Sequence, residues 1–366
     1  MSEANRAWLT LANAYVRVPE YLALADRFDD ALGITRQPAS KLQNAGLSAS
    51  KSKAITEPDY RRIDHELAWL DDAHHHIVSC HADACPDLLR QIPAPPLLLY
   101  VHGDPGILHL PALAIVGSRN PTQAGTRSAF EFAYHLGSNG FSIVSGLAQG
   151  IDTAAHRGAI RASASTVAFL GHGIDRIYPA GNRDLAHEIV ENGALVSEYP
   201  LGTHPDKRHF PERNRLISGM CLGTLVVEAA RRSGSLITAR LAAEQGREVF
   251  ALPGSIHNPL ARGCHVLIRQ GAKLVETADD IVAELAPLTG RVLQNTVKSR
   301  QNDANNERPD DEYSALRAFL GHDPISADEI ADLSGLTIDQ VSSMLLILEL
   351  HGEVESLSGG RYSLSS

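Results

Sequence analysis

The chain is poor in several features, and each absence excludes a class of protein. Only four of its 366 residues are cysteine and they are scattered, so we expect a reducing cytoplasm and no disulfide framework. No run approaches about 18 apolar residues, which argues against a membrane span. No basic segment followed by an apolar stretch opens the chain, so no secretory signal is expected. The sequence therefore predicts a cytoplasmic protein that does not span a membrane.

Basic residues are outnumbered, but their distribution matters more than their total. The formal net charge is −10 at pH 7, which alone argues against a nucleic-acid partner. Residues 310–366 hold two Lys or Arg against eleven Asp or Glu, whereas residues 111–285 hold 17 against 16. A balanced middle with locally clustered arginines can still bind a polyanion.

The middle of the chain repeats one pattern, in which an apolar run is followed by a small-residue loop and then by helical spacing. The runs are Ala112–Val116, Phe141–Val144, Thr166–Leu170, Ala194–Val196, Thr224–Val227 and Glu248–Leu252. Continuous apolar strands that alternate with helices predict a parallel sheet covered on both faces. Because ligands of such sheets bind at the carboxyl ends of the strands, we expect the connecting loops to form one functional rim.

The stretch over residues 207–238 combines basic, aromatic and small residues in the manner of a phosphate-binding site. Its candidate binding residues are Lys207, Phe210, Arg213, Arg215, Gly234 and Ser235. Arginine forks and the free amides of a loop that opens a helix both bind phosphate oxygens. An aromatic ring among cations is typical of sites for single-stranded nucleic acid, because a base stacks on the ring while the charges hold the backbone. Phe210 could equally be a core residue, and one of Arg213 and Arg215 could be structural.

Two further loops on the predicted rim carry candidate phosphate-binding groups. They are Gly117-Ser118-Arg119 and Ser145-Gly146. In the first loop the glycine permits a tight turn, Ser118 and the following amides can donate hydrogen bonds, and Arg119 can bind an anion with two parallel bonds. This loop lacks the glycine spacing of a dinucleotide site and the lysine of an ATP-binding loop, so neither of those functions is favoured.

Acidic side chains on the rim leave an enzymatic hypothesis open. Asp152 and His156 are four residues apart and could form an acid–base pair, although we favour a helix-start role for Asp152 with His156 as its satisfied neighbour. Glu228 follows a glycine-threonine turn, as in related folds that cleave nucleoside monophosphates, but the paired glycines and second glutamate of that motif are missing. An anchoring role for Glu228 toward Arg213 or Arg215 is therefore favoured over hydrolysis.

The N-terminal part, residues 1–73, shows several short helical patterns that predict a small helical domain. One of them is a helix from Tyr21 to Leu32 that Gly33 closes. Such a domain could hold a DNA backbone or could simply be a packing module. A histidine run at residues 74–76 and the nearby Cys80, His81 and Cys85 fit no common zinc spacing, so no metal site is predicted.

The C-terminal part predicts a linker and a second small domain. Residues 289–311 show no periodicity and are rich in polar side chains, as a linker is. Over residues 312–366, two capping boxes, the helix Ile338–Leu350 and a hairpin around Gly359-Gly360 predict a winged helix. Its candidate recognition helix has no Lys or Arg, so a protein contact is favoured there over a phosphate contact.

Seven motifs, in order along the chain, resemble those of the DNA-processing protein A (DprA/Smf) family. They are GSRNPT, SGLAQGIDTAAH, GHGIDRIYP, FPERNRLISG, VVEAARRSGSLITA, VFALPG and GCHVLIRQGA. The resemblance implies an α/β fold: a Rossmann-like parallel sheet flanked by helices over residues 74–288. It also implies a helical, SAM-like domain over residues 1–73 and a winged-helix domain over residues 312–366.

The same resemblance implies a function without catalysis, cofactor or metal. Members of the family bind single-stranded DNA without sequence preference, protect incoming strands and load the RecA recombinase during natural transformation, as homodimers. Single-strand binding protein is a further candidate partner. The family's DNA pocket corresponds to Arg119, Lys207 and Phe210, and less firmly to Arg213, Arg215 and the Ser145-Gly146 and Gly234-Ser235 loops. The sequence departs from the family pattern at His172 and His265. Two alternatives stay open: a nucleoside monophosphate phosphoribohydrolase, and an adaptor that acts through its winged helix.

Overall fold

A computed structural model of the chain describes residues 3–79, 85–288, 325–334, 336–350, 354–357 and 361–364. The linker predicted over residues 289–311 lies outside the described residues, as do Cys80 and His81.

Nine strands form one sheet in the middle of the chain. They are β1 His75–Ser79, β2 Leu98–Gly103, β3 Ala112–Val116, β4 Ser142–Ser145, β5 Thr166–Leu170, β6 Gly193–Ser197, β7 Gly223–Val226, β8 Glu248–Ala251 and β9 Lys273–Leu274. Their spatial order is β1-β2-β6-β5-β4-β3-β7-β8-β9. β1 and β2 join antiparallel beside β6, and the other neighbours pair in parallel. All six predicted strands are confirmed. They could be recognised because a strand that is covered on both faces needs apolar side chains on both sides.

Helices surround this sheet and build the N-terminal region. They are α1 Glu3–Asn13, α2 Val18–Phe28, α3 Ala31–Thr35, α4 Ala39–Asn44, α5 Ala49–Thr56, α6 Tyr60–Trp69, α7 Asp87–Arg90, α8 Gln123–Ser138, α9 Ile151–Arg161, α10 Arg183–Asn192, α11 His209–Met220, α12 Ser235–Glu244, α13 Arg262–Arg269 and α14 over 278–288. Two short 3-10 helices, Pro105–His109 and Ala180–Asn182, lie between them.

The sheet is buried on both faces by separate hydrophobic clusters. On one face α8, α9 and α14 contribute to a cluster that includes Ile115 and Leu225, and on the other α7, α11, α12 and α13 contribute to a cluster that includes Val116 and Val226. The order of the strands reverses between β3 and β7, which are neighbours although α8 to α11 separate them in sequence. The loops that leave β3 and β7 therefore diverge, at the position where open α/β sheets bind their ligands.

The N-terminal helices share a hydrophobic core with the sheet. Leu9 of α1 and Ile63 of α6 belong to the same buried cluster as Tyr100 of β2 and Ile189 of α10. The domain boundary predicted at residue 73 falls in the turn between α6 and β1.

One prediction in the N-terminal region was wrong. The sequence predicted a single helix from Tyr21 to Leu32 that Gly33 would close. The chain instead breaks at Asp29, whose φ is 77°, and Asp30 caps a new helix by accepting a hydrogen bond from the Gly33 amide at 2.7 Å. The Asp30 carboxylate therefore begins a new helix where the first helix was expected to continue.

The C-terminal region contains α15 Ala327–Ser334, α16 Ile338–Leu350, β10 Ile325–Ser326, β11 Val354–Leu357 and β12 Arg361–Leu364. Both capping boxes are confirmed: Ser326 exchanges hydrogen bonds with Glu329, and Thr337 with Gln340. The strands form a small sheet in the order β10-β12-β11, as the predicted winged helix requires. The glycines of the hairpin turn lie outside the described residues.

Candidate nucleic-acid interface

A pocket lies at the carboxyl edge of the sheet, where the loops after β3, β4 and β5 meet the start of α11. It is lined by Arg119, Gly146, Ala148, Gln149, Tyr178, Pro179, Phe210 and Arg213. The Arg119 guanidinium lies over the Phe210 ring, with Cζ 5.6 Å from the ring centroid. Phe210 approaches the backbone at Gly171 so closely that a Cβ there would lie 2.8 Å from the ring atom Cδ1. The fold therefore brings together a cation and a ring that the sequence places far apart.

The loop that carries Arg119 is fixed at the beginning of α9. The Ser118 carbonyl accepts a hydrogen bond from the Ile151 amide at 3.1 Å, and the Ser118 hydroxyl accepts one from the Asn120 amide at 3.1 Å. Gly150 has a φ of +82°, and a Cβ there would lie 2.4 Å from the Ser118 carbonyl oxygen. Arg119 itself is exposed, and no carboxylate of the described residues forms an ion pair with it. Its charge is therefore available to a ligand.

Glu228 acts as an anchor, but its partner differs from the one predicted. Its carboxylate accepts hydrogen bonds from the Thr122 amide at 2.8 Å and the Thr122 hydroxyl at 2.7 Å, rather than pairing with Arg213 or Arg215. Thr122 caps α8 through Gly125, so Glu228 fastens the start of that helix to the end of β7. Glu228 is only 7% exposed, and both of its oxygens are engaged.

Arg213 forms part of the pocket's floor. It is 4% exposed, and its Nη1 donates a hydrogen bond to the Phe169 carbonyl. Burial lowers its pKa to about 10, while the nearby Asp152 carboxylate opposes that shift. The pKa of Asp152 is raised by burial, against the attraction of Arg213. A Cβ on Gly146 would lie 2.1 Å from the Arg213 Nη1 atom, so the small residue leaves room for the guanidinium.

Arg215 does not point to the same side as Arg213. An extended segment would have aligned the two side chains, but both lie within α11, where residues two apart face different directions. Arg215 pairs with Glu198 at 2.5 Å and is half-buried. Its guanidinium is thus already matched with a carboxylate, and it does not line the pocket.

The remaining predicted residues occupy different positions along the rim. Ser145 is buried and its hydroxyl donates to the Ile115 carbonyl at 2.7 Å, so the expected contact from this side chain is not available. Lys207 is exposed in the turn just before α11, three residues ahead of Phe210. Gly234 and Ser235 lie at the start of α12 and do not line the pocket.

The Gly234-Ser235 loop belongs to a second surface. Its neighbour Ser233 lines a separate groove between α12, α13 and β8, together with Arg231 and Arg232. The Ser233 and Ser235 hydroxyls share a hydrogen bond of 2.7 Å. The structure therefore does not gather all the predicted residues into one pocket.

Asp152 and His156 do not form an acid–base pair. The Asp152 carboxylate accepts hydrogen bonds from the Gly146 and Ala148 amides, at 3.1 and 3.3 Å, and so shapes the loop after β4. His156 instead shares a 2.7 Å hydrogen bond with the Thr166 hydroxyl, and burial lowers its pKa to about 3. The helix-start role predicted for Asp152 fits this geometry, whereas the predicted contact between Asp152 and His156 was wrong.

Sequence reasoning missed Tyr178 as a site residue. It lines the pocket and is 47% exposed, with its ring centroid 5.8 Å from that of Phe210. The signal available was the GHGIDRIYP motif, which contains Tyr178 but does not show that its ring reaches Phe210.

Among the described residues, no group of three or more His, Cys, Asp or Glu side chains is arranged to hold a metal ion. None of the helices described is long and apolar enough to cross a membrane.

Comparison with known proteins gives the family. The family model described as "DNA recombination-mediator protein A" matches residues 76–286. A second family model, described as "DprA winged helix domain", matches residues 300–360. Protein Smf of Escherichia coli is 37% identical over 94% of this chain and 90% of its own length. DNA processing protein DprA of Streptococcus pneumoniae is 42% identical over 66% of this chain and 85% of its own length.

Solved structures agree with that assignment. The X-ray structure of DNA processing protein A from Streptococcus pneumoniae covers 78% of this chain and 99% of its own, at a TM-score of 0.67 and 35% identity. A Helicobacter pylori structure, described as giving insight into the unique single-stranded DNA binding mode of DNA processing protein A, covers 58% of this chain and 96% of its own, at a TM-score of 0.53 and 29% identity. With motifs, fold and relatives in agreement, the chain belongs to the DNA processing protein A (DprA/Smf) family.

Proposed function

We propose that this protein binds single-stranded DNA, independently of sequence, in the pocket around Arg119 and Phe210. The observation that carries the proposal is the pairing of an exposed arginine with an aromatic ring in a pocket at the carboxyl edge of the sheet. The arginine and Lys207 hold phosphates, while a base stacks on Phe210. The single-stranded DNA binding attributed to the Helicobacter pylori protein supports the same ligand.

The pocket acts without catalysis in this proposal. Hydrolysis of a nucleotide needs a carboxylate that can reach water or substrate, and both oxygens of Glu228 already accept hydrogen bonds from Thr122. The matching prediction is that nucleoside monophosphates incubated with the protein yield no free base. Release of base that Glu228→Gln abolishes would favour the hydrolase instead.

Binding across a range of salt concentrations tests the site directly. The logarithm of the affinity for an oligothymidylate should fall with the logarithm of salt concentration, by about 0.7 for each phosphate neutralised. Arg119→Ala and Lys207→Ala should each weaken binding. Each should also reduce the slope by about 0.7, the value for one phosphate contact. Arg161→Ala is the matched control, because Arg161 is also exposed but lies at the far end of α9 from the pocket. Equal losses in all three variants, or no loss in the first two, would show that the pocket has been placed wrongly.

The wider role that we propose is supported by membership of the family. In the cytoplasm, the protein as a homodimer protects incoming single strands during natural transformation and loads RecA recombinase onto them, with single-strand binding protein as a second partner. RecA filament formation on strands coated with single-strand binding protein should be faster in its presence, and slower again with Arg119→Ala. Light scattering at increasing concentration tests the dimer. RecA filaments that form at the same rate without the protein would exclude the loading role, though not the binding of DNA.

A further inference from the structure

A second exposed ring stands beside Phe210 in the pocket. Tyr178 keeps 47% of its surface exposed, and its ring plane is tilted by 32° from that of Phe210 at a centroid distance of 5.8 Å. Large apolar side chains left this exposed in a pocket next to an arginine are what sites for single-stranded nucleic acid offer to bases. Phe210 is only half-buried, and the Arg119 guanidinium lies 5.6 Å from the centre of its ring.

Tyr178 is also held in place before any ligand arrives. The buried His172 ring meets it edge-to-face, with centroids 6.4 Å apart and planes at 83°. The His172 Nδ1 atom lies 3.0 Å from the Gly173 carbonyl oxygen and donates to it, which orients the imidazole. A ring fixed by two other rings loses little conformational freedom on binding, so its contact with a ligand costs less entropy.

The spacing of the two rings decides how bases can use them. Bases that stack along a DNA strand are about 3.4 Å apart, so a base sandwiched between two rings needs about 7 Å between their planes. The 5.8 Å between the Tyr178 and Phe210 centroids is too short for that arrangement. Each ring must therefore offer its own surface to its own base. Because the ring planes differ by 32°, two bases laid on them cannot stay parallel as they are in a duplex.

We propose that Tyr178 is a second base-stacking platform, so that the pocket takes two consecutive nucleotides of a single strand, one base on Phe210 and the next on Tyr178. His172 is the positioning residue behind this second platform. The inference rests on the proposed function, since its ligand is single-stranded DNA.

Two competitors matched in charge test the inference. A thymidine dinucleotide and the same molecule with an abasic second residue are each used to displace a fluorescein-labelled 20-residue oligothymidylate. One stacked base is worth about 5- to 140-fold in affinity, so the complete dinucleotide should compete better by a factor in that range. Tyr178→Ala should remove this advantage and weaken binding of the long probe by a similar factor. Its salt dependence should stay unchanged, because stacking neutralises no phosphate.

Three further variants separate stacking from packing. Tyr178→Phe should keep the advantage of the complete dinucleotide, and Tyr178→Leu, which keeps apolar volume without a ring, should lose it. Tyr134→Ala is the control, since Tyr134 is another partly exposed tyrosine, near the other end of α8 from the pocket.

Failure of the inference can be told from failure of the proposed function. If Tyr178→Ala or Tyr178→Leu keeps the dinucleotide advantage while Phe210→Ala loses probe binding, the second platform is refuted and the binding function stands. If the unaltered protein does not bind the probe at all, both are refuted.

Discussion

Arg213 and Arg119 both line the pocket, yet the structure predicts opposite consequences for removing them. Arg213→Met takes away the donor to the Phe169 carbonyl and leaves the buried Asp152 carboxylate without its opposing charge. Losing a buried hydrogen bond from a charged donor costs about 1.5–3 kcal/mol, which in a domain of this size lowers the melting temperature by about 3–12 °C. Arg119 is exposed and pairs with no carboxylate of the described part, so Arg119→Ala should leave the melting temperature nearly unchanged.

The destabilisation should depend on pH in a defined direction. Burial already raises the pKa of Asp152 in the folded protein, and loss of Arg213 raises it further. A carboxyl whose folded pKa lies above its unfolded value stabilises the protein below the unfolded pKa and loses that contribution as the pH rises through the folded pKa. The deficit of Arg213→Met should therefore be smaller at pH 5 than at pH 8.

Thermal melts at the two pH values, with oligothymidylate binding across salt, measure both effects together. We expect Arg213→Met to lower the melting temperature and, once folded, to keep the salt slope of the unaltered protein. A variant as stable as the unaltered protein, with a slope flattened by about 0.7, would mean that Arg213 contacts a phosphate directly and would refute the structural role.

Three further substitutions each test one packing or hydrogen-bonding interaction. Gly146→Ala puts a Cβ 2.1 Å from the Arg213 Nη1 atom, so we expect a loss of about 1–3 kcal/mol in unfolding free energy together with weaker DNA binding. Glu228→Gln weakens the charge-assisted bonds to Thr122 and should cost about 1.5–3 kcal/mol in urea unfolding. His156 has a pKa lowered to about 3 from its ordinary 6.5, so its neutral form stabilises the protein above about pH 6.5. That contribution is lost as the pH falls toward 3, and His156→Gln should flatten the fall in urea-derived stability over this range.

Each of these has an outcome that would contradict it. Unchanged melting of Gly146→Ala would mean that the Arg213 side chain can leave its place freely. A Glu228→Gln variant as stable as the unaltered protein would remove the anchor role, and an unchanged pH dependence for His156→Gln would assign the acid sensitivity to another group.

The sheet could be predicted from sequence because its strands carry their own signal. A run such as Ala112–Val116 must be apolar throughout when helices cover both faces, and no distant residue is needed to recognise it. The edge strand β1 was not recognised, since it is half-exposed and contains a run of histidines. Its place in the sheet comes from pairing with β2, which local pattern does not specify.

The sequence predicted which residue types form the candidate site, but not which of the arginines line the pocket and which are structural. Arg119 and Phe210 were identified because their residue types suit phosphate and base, and the fold joins them. Arg213 and Arg215 have the same chemistry, but they face different sides of α11. Their neighbours Asp152 and Glu198 come from other parts of the chain. Contacts with residues this distant in sequence depend on how the strands pair, which the local sequence pattern does not specify.

The N-terminal helices share a hydrophobic core with β2, so they cover apolar side chains of the sheet. A chain cut at residue 73 would turn the Tyr100 side of the sheet, now covered by Leu9 and Ile63, toward water. Exposed apolar surface of that kind promotes self-association, so the fragment would be expected to aggregate even with every residue of the DNA pocket intact. Residue 73 therefore marks a change of secondary structure and not a point at which the sheet can be separated from its N-terminal helices.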